Sequence, residues 1–96
     1  MEISSELREK IITDMCCMIK CATISDQNDD LVNWDEYKKF HKLLKKSFPL
    51  IYKNCDFFQV GKTGLVHKLT GKDSNADSKK TAQVLMAHYD VVPADV

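Results

Sequence analysis

His88 and Asp90 are the residues of this chain whose types and spacing best suit chemistry. They stand two apart, directly after the apolar run Val84-Leu85-Met86-Ala87. In extended chain that spacing puts both side chains on one side, so the carboxylate can accept the proton of one imidazole nitrogen. Such a bond fixes the tautomer and leaves the other nitrogen free for a metal ion, which is how carboxylates orient zinc-ligating histidines. The short apolar run reads as a strand buried on both faces. In open α/β sheets, active sites gather outside the carboxyl ends of such strands. On spacing alone an H-x-D pair is common, and a structural hydrogen bond is its ordinary meaning.

Other groupings fall short of a site. Cys17 and Cys21 lie four apart on one helix, but a closed zinc site needs four ligands and no second close pair exists, so apolar packing of the thiols is expected. Gly61-Lys62-Thr63 echoes the end of a phosphate-binding loop, yet Asp56 stands where its first glycine belongs. Asp73, Asn75 and Asp77 alternate like the start of a calcium loop, but Ser78 replaces the required glycine and Val84 the bidentate glutamate. A polar turn is expected there. His41 and His67 have no partner nearby in sequence and receive no role. The lysines around Trp34 read as a solvated helical face, because no aromatic platform interleaves the charges.

The elements that must position His88 and Asp90 follow from periodicity. Leu7, Ile11, Met15, Met18 and Ile19 recur at steps of three and four, which predicts an amphipathic helix from Ser4 to about Lys20. Thr23 to Asn33 is rich in Ser, Asp and Asn and reads as a solvated loop. Asn33 and Glu36 have the spacing of a capping box. They open a second helix, Trp34 to Ser47, with Tyr37, Phe40, Leu44 and Phe48 on one face and His41 beside them. Pro49 disfavours helical geometry at Phe48 and ends the run. Phe57 to Val60 and Leu65 to Leu69 then read as strands of a hairpin joined across Gly61 to Gly64.

Composition bounds the rest. Ninety-six residues allow one domain at most, and a chain this short buries only about 60–65% of its unfolded surface. Fourteen basic and fourteen acidic residues cancel, so no overall field points to nucleic acid or a membrane surface. Charges scattered through the first twenty residues interrupt any export or membrane-spanning segment, so a cytoplasmic location and reduced cysteines are expected.

The string Val84-Leu85-Met86-Ala87-His88-Tyr89-Asp90-Val91-Val92-Pro93 resembles the first signature of M20 metallopeptidases, in which an apolar strand leads into H-x-D-V-V-P. The upstream order is similar to that family's opening as well: a helix, then Cys21-Ala22-Thr23-Ile24-Ser25 like its usual I-P-T-V-S, a helix ending in Phe48-Pro49-Leu50-Ile51, then a hairpin. Cys21-Ala22 departs from the usual isoleucine and proline.

The resemblance implies an α/β fold, with residues 1–96 forming the amino-terminal portion of a zinc-peptidase catalytic domain: two helices, a hairpin and a buried strand. The rest of the catalytic domain and a dimerisation domain would lie outside it. His88 would bind one of two zinc ions, other divalent metals such as cobalt being compatible, and Asp90 would be the active-site acid that holds that histidine. Tyr89 would face away. The remaining ligands and the general base would lie beyond Val96.

The implied reaction is hydrolysis of a small peptide or an N-acyl amino acid. The wording is nearest the carboxypeptidase-like branch, with deacylases sharing the signature. A full-length homodimer is implied, and the 96-residue chain alone would be inactive. A different class of reading is a non-catalytic interaction module or pseudoenzyme fragment, since fold does not dictate function.

Overall fold

A computed structural model of the chain describes residues 2–72 and 82–93. Helix α1 (Ser5–Ile19) starts where Ser4, in extended geometry, accepts the Leu7 N–H on its hydroxyl at 3.1 Å. That bond satisfies one of the first-turn amides that a helix leaves without a partner. The periodic stripe is present but uncovered: Leu7, Ile11, Met15 and Ile19 remain 47–74% exposed, and no residue of α1 is buried. Polar contacts tie the helix down instead. Lys10 pairs with Asp14 one turn on, donates to the Ser47 carbonyl at 3.0 Å and lies over the Phe48 ring.

Helix α2 (Trp34–Ser47) has the bounds expected from periodicity, and it buries Tyr37 and Phe40. The expected capping box does not form. Asn33 makes no side-chain cap, and the Glu36 carboxylate accepts the Ala22 N–H at 2.9 Å. The Glu36 carboxylate is turned to the incoming chain, where a charge-assisted bond to the Ala22 amide, with Lys39 3.7 Å away, takes the place of a bond to the helix's own first turn. Pro49 ends α2 as expected, but it also begins a third helix, α3 (Pro49–Asn54), that periodicity alone does not reveal. A proline whose fixed φ already suits the first helical position can start a helix as readily as stop one.

The hairpin pairs β1 (Asp56–Val60) with β2 (Gly64–Lys68), antiparallel, from Asp56 opposite Lys68 to Val60 opposite Gly64. Gly61 has φ +62, the left-handed region where a side chain is strained. At Gly64 a Cβ would stand 2.6 Å from the Val60 carbonyl oxygen. These two glycines fix the turn.

The described residues therefore form a mixed α/β unit of three helices and one two-stranded sheet. The expected buried strand before His88 is not present. Val84, Leu85 and Met86 have no regular secondary structure and are 78%, 98% and 89% exposed, and no strand pairs with them among the described residues. Their apolar character suits burial, but burial needs a neighbouring element to lie against. The packed centre among the described residues is small: Cys21, Tyr37, Phe40 and Thr23.

All four cysteines are free thiols, and burial pushes the Cys21 thiol above its ordinary pKa. Among the described residues no helix is long and apolar enough to cross a membrane. The polar turn expected around Asp73, Asn75 and Asp77 lies outside the described residues.

Candidate functional site

His88 and Asp90 meet. The His88 Nδ1 lies 3.1 Å from Asp90 Oδ1 and 3.2 Å from the Asp90 carbonyl oxygen. Both oxygens can only accept, so Nδ1 is the protonated nitrogen in these bonds and Nε2 is the ring nitrogen they leave open. The His88 side chain is 87% exposed, so Nε2 faces solvent at the edge of the unit.

The two residues are held by the chain around them more than by each other. Thr23 is 2% exposed, and its hydroxyl donates to the Tyr89 carbonyl at 2.6 Å. The Val91 N–H donates to the Thr23 carbonyl at 2.9 Å, and the Ser25 N–H to the Val91 carbonyl at 3.1 Å, forming a short parallel bridge of Ile24 with Val91. Tyr37 of α2 donates its hydroxyl to the same Thr23 carbonyl at 3.1 Å. Ala22 is fastened to Glu36 one residue earlier. Alanine matters there, because a proline in its place would have no N–H to donate.

Tyr89 points into α2. Its ring stacks on Phe40 with centroids 4.6 Å apart and planes 6° from parallel, and it meets Tyr37 edge-on at 5.7 Å. Burial, with Tyr37 and Asp90 adding smaller contributions, pushes its phenol up to about 12. Tyr37 is raised too, chiefly by burial and further by the Asp90 charge. Both phenols therefore stay neutral hydrogen-bonding groups at ordinary pH.

His41 is brought to this corner although its sequence neighbours give no hint of it: its Nε2 lies 2.8 Å from the Tyr89 hydroxyl. His41 also lines an open cleft of about 510 Å³ with Trp34, Lys38, Lys42, Gln59 and Lys62, where Lys62 sits over the Trp34 ring. His67 lies apart, edge-on to Tyr52 and beside Phe57 on the hairpin. Cys21 packs with its sulfur 3.7 Å from the Cys17 carbonyl, a thiol turned to backbone.

Thr23, Tyr37, Phe40, His41 and Tyr89 thus shape the corner without having been singled out by chemistry. The shared helical face of Tyr37, Phe40 and His41 is the signal that could have found three of them.

As a metal site the corner fits one ligand position. Nε2 of His88 is open and its ring is oriented by a carboxylate, as a zinc-binding imidazole requires. A catalytic zinc takes about three protein ligands, and among the described residues no group of three His, Cys, Asp or Glu side chains could hold a metal ion.

No family model matches the chain, and no solved structure matches it. Among curated proteins it is similar to a carboxypeptidase S-like protein of Dictyostelium discoideum, 36% identical over 74 residues, which is 74% of this chain and 14% of that protein. It is also similar to a Saccharomyces cerevisiae protein whose name marks it provisionally as a carboxypeptidase, 32% identical over 68 residues, 71% of this chain and 11% of that one. The chain therefore spans a small fraction of the carboxypeptidase-like proteins it resembles.

Proposed function

We propose that this chain contributes the His88–Asp90 pair to the catalytic domain of an M20-type, zinc-dependent metallopeptidase or amidohydrolase, acting on a small peptide or an N-acyl amino acid. The observation that carries the reading is the 3.1 Å contact between His88 Nδ1 and Asp90 with Nε2 left open. The two carboxypeptidase-named relatives support a peptide bond as substrate over other amides.

In this reading His88 holds one zinc ion through Nε2. Asp90 accepts the Nδ1 proton, keeps the ring in that tautomer and raises the basicity of the nitrogen that faces the metal. Bound zinc supplies polarisation of the scissile carbonyl and a water of lowered pKa. Thr23 and the Ile24–Val91 bridge hold the backbone on which both side chains stand. The other ligands and the general base come from outside residues 1–96, so these residues alone bind zinc weakly and do not turn over substrate.

The test uses the full-length protein. His88→Ala is expected to lose bound zinc and activity together, whereas Asp90→Asn retains most of the zinc and lowers turnover on the order of 10- to 100-fold. Zinc content and peptide hydrolysis equal to wild type in His88→Ala would end the assignment. A full-length protein that binds partners but neither zinc nor peptide would favour the interaction-module reading instead.

A further inference from the structure

The Tyr89 hydroxyl stands between two partners, 2.6 Å from the Thr63 carbonyl oxygen and 2.8 Å from His41 Nε2. A phenol has one proton to give. The carbonyl oxygen of Thr63 can only accept, so that proton is committed to it. The tyrosine oxygen then meets His41 only as an acceptor, and His41 Nε2 must carry a hydrogen. Burial holds the His41 pKa below its ordinary value, which favours the neutral ring. The neutral ring with its hydrogen on Nε2 satisfies every contact of the group.

Tyr89 is consequently gripped at three points. Phe40 and Tyr37 hold its ring, Thr63 and His41 its hydroxyl, and Thr23 its carbonyl oxygen. These partners come from three separate parts of the unit: α2, the hairpin turn and the segment after α1. The flanking residues have no comparable hold. The His88–Asp90 contact joins an 87% exposed side chain to a 47% exposed one, and a pair so solvated is worth little by itself.

We propose that Tyr89, the middle residue of the H-x-D motif, is the positioning residue of the site: it anchors the segment so that His88 and Asp90 stay paired, with His41 as its obligatory Nε2–H donor. The effect on metal binding rests on the function proposed above, whereas the effect on the two histidine tautomers does not.

The tautomers can be read directly by long-range proton–nitrogen correlation spectroscopy of the metal-free, full-length protein labelled with ¹⁵N-histidine. The expected wild-type result is hydrogen on Nε2 of His41 and on Nδ1 of His88. Tyr89→Phe keeps the ring and removes the hydroxyl. It is expected to release His41 from its single tautomer, shift His88 toward a mixture, and weaken zinc binding measured by calorimetry on the order of 10-fold.

His41→Gln, whose amide nitrogen can donate from the place of Nε2, should stay near wild type in His88 tautomer and zinc affinity, while His41→Ala should follow Tyr89→Phe. That pair decides the matter if Tyr89→Phe does not fold. Hydrogen on Nδ1 of His41 in wild type would overturn the proposal. So would a Tyr89→Phe protein that melts earlier yet keeps the wild-type His88 tautomer and zinc affinity, since that is a purely structural role. A wild-type protein that binds no zinc would remove the metal reading alone, and the His88 tautomers would still judge the anchor.

Discussion

Val84–Met86 and Tyr89–Val91 belong to one continuous stretch of chain without helix or strand, yet their surroundings are opposite. The first three residues are 78–98% exposed although all are apolar. The last three include a charged residue and a phenol, and they are fastened by backbone and side-chain hydrogen bonds to Thr23, Ser25, Thr63 and His41. Hydrophobicity therefore does not decide which part of this segment is held. What decides it is whether a preceding element offers partners: Thr23 and α2 do so for the second part, and nothing among the described residues does so for the first.

Removing the aromatic seat should break this contrast most severely. Phe40 is 7% exposed and lies flat against Tyr89, so Phe40→Ala is expected to cost about 3–5 kcal/mol and to make Tyr89–Val91 as solvated as Val84–Met86. Chemical denaturation, with hydrogen exchange at the Val91 amide, would show both effects. An unchanged Val91 amide would mean that the aromatic stack does not hold the segment.

Thr23→Val keeps the shape and deletes the hydroxyl, leaving the Tyr89 carbonyl without its 2.6 Å donor. A loss of about 1–3 kcal/mol follows from stranding a part-buried acceptor.

A smaller effect is set by pH. Tyr37, Tyr52 and Tyr89 are all raised above the ordinary phenol value, each chiefly by burial. The folded chain favours the neutral phenols, so the stabilisation is complete below pH about 10, the unfolded value, and is lost as pH rises toward the Tyr89 value of about 12. His41 is shifted the other way, so its contribution is present above its unfolded value and lost as pH falls through the lower folded one. Phenolate absorbance during alkaline titration should rise later than in the denatured chain, and Tyr89→Phe should shorten the alkaline limb. Coincident folded and denatured titrations would contradict the burial of these rings.

Leu85→Ser should be the mildest change, within about 0.5 kcal/mol for residues 1–96, because a 98% exposed side chain has little to lose. The same substitution in the full-length protein sharpens the contrast. If further chain covers the run, the cost there rises to that of a core leucine, about 2–5 kcal/mol.

The bounds of α2 are legible in sequence because apolar residues recur at helical steps up to a proline that disfavours helix at Phe48. The hairpin is legible because Gly61 and Gly64 mark its turn. The His88–Asp90 contact is legible because it spans two residues of extended chain. The remainder of the corner is not, because its bonds reach across the sequence: Tyr89 to Thr63 over 26 residues, to His41 over 48, and to Thr23 over 66. Local spacing carries no sign of such pairs. Glu36 shows the same limit, since its spacing from Asn33 suggests a cap while its real partner, Ala22, lies 14 residues earlier.

The Thr23–Tyr89 bond also sets an order of events as the chain folds. Closing a loop of 66 residues costs about 4 kcal/mol in chain entropy beyond a constant term, whereas α2 and the β1–β2 hairpin need only contacts with near neighbours. Helices and hairpins form on the microsecond scale, so Phe40, Tyr37 and Thr63 are expected to be in place before the segment from Tyr89 to Val91 arrives, an order that φ-values at Phe40 and Tyr89 would check. In that order the H-x-D segment docks last. By the same reasoning the segment is expected to open locally before α2 melts, which faster hydrogen exchange at the Val91 amide than at the α2 amides would show.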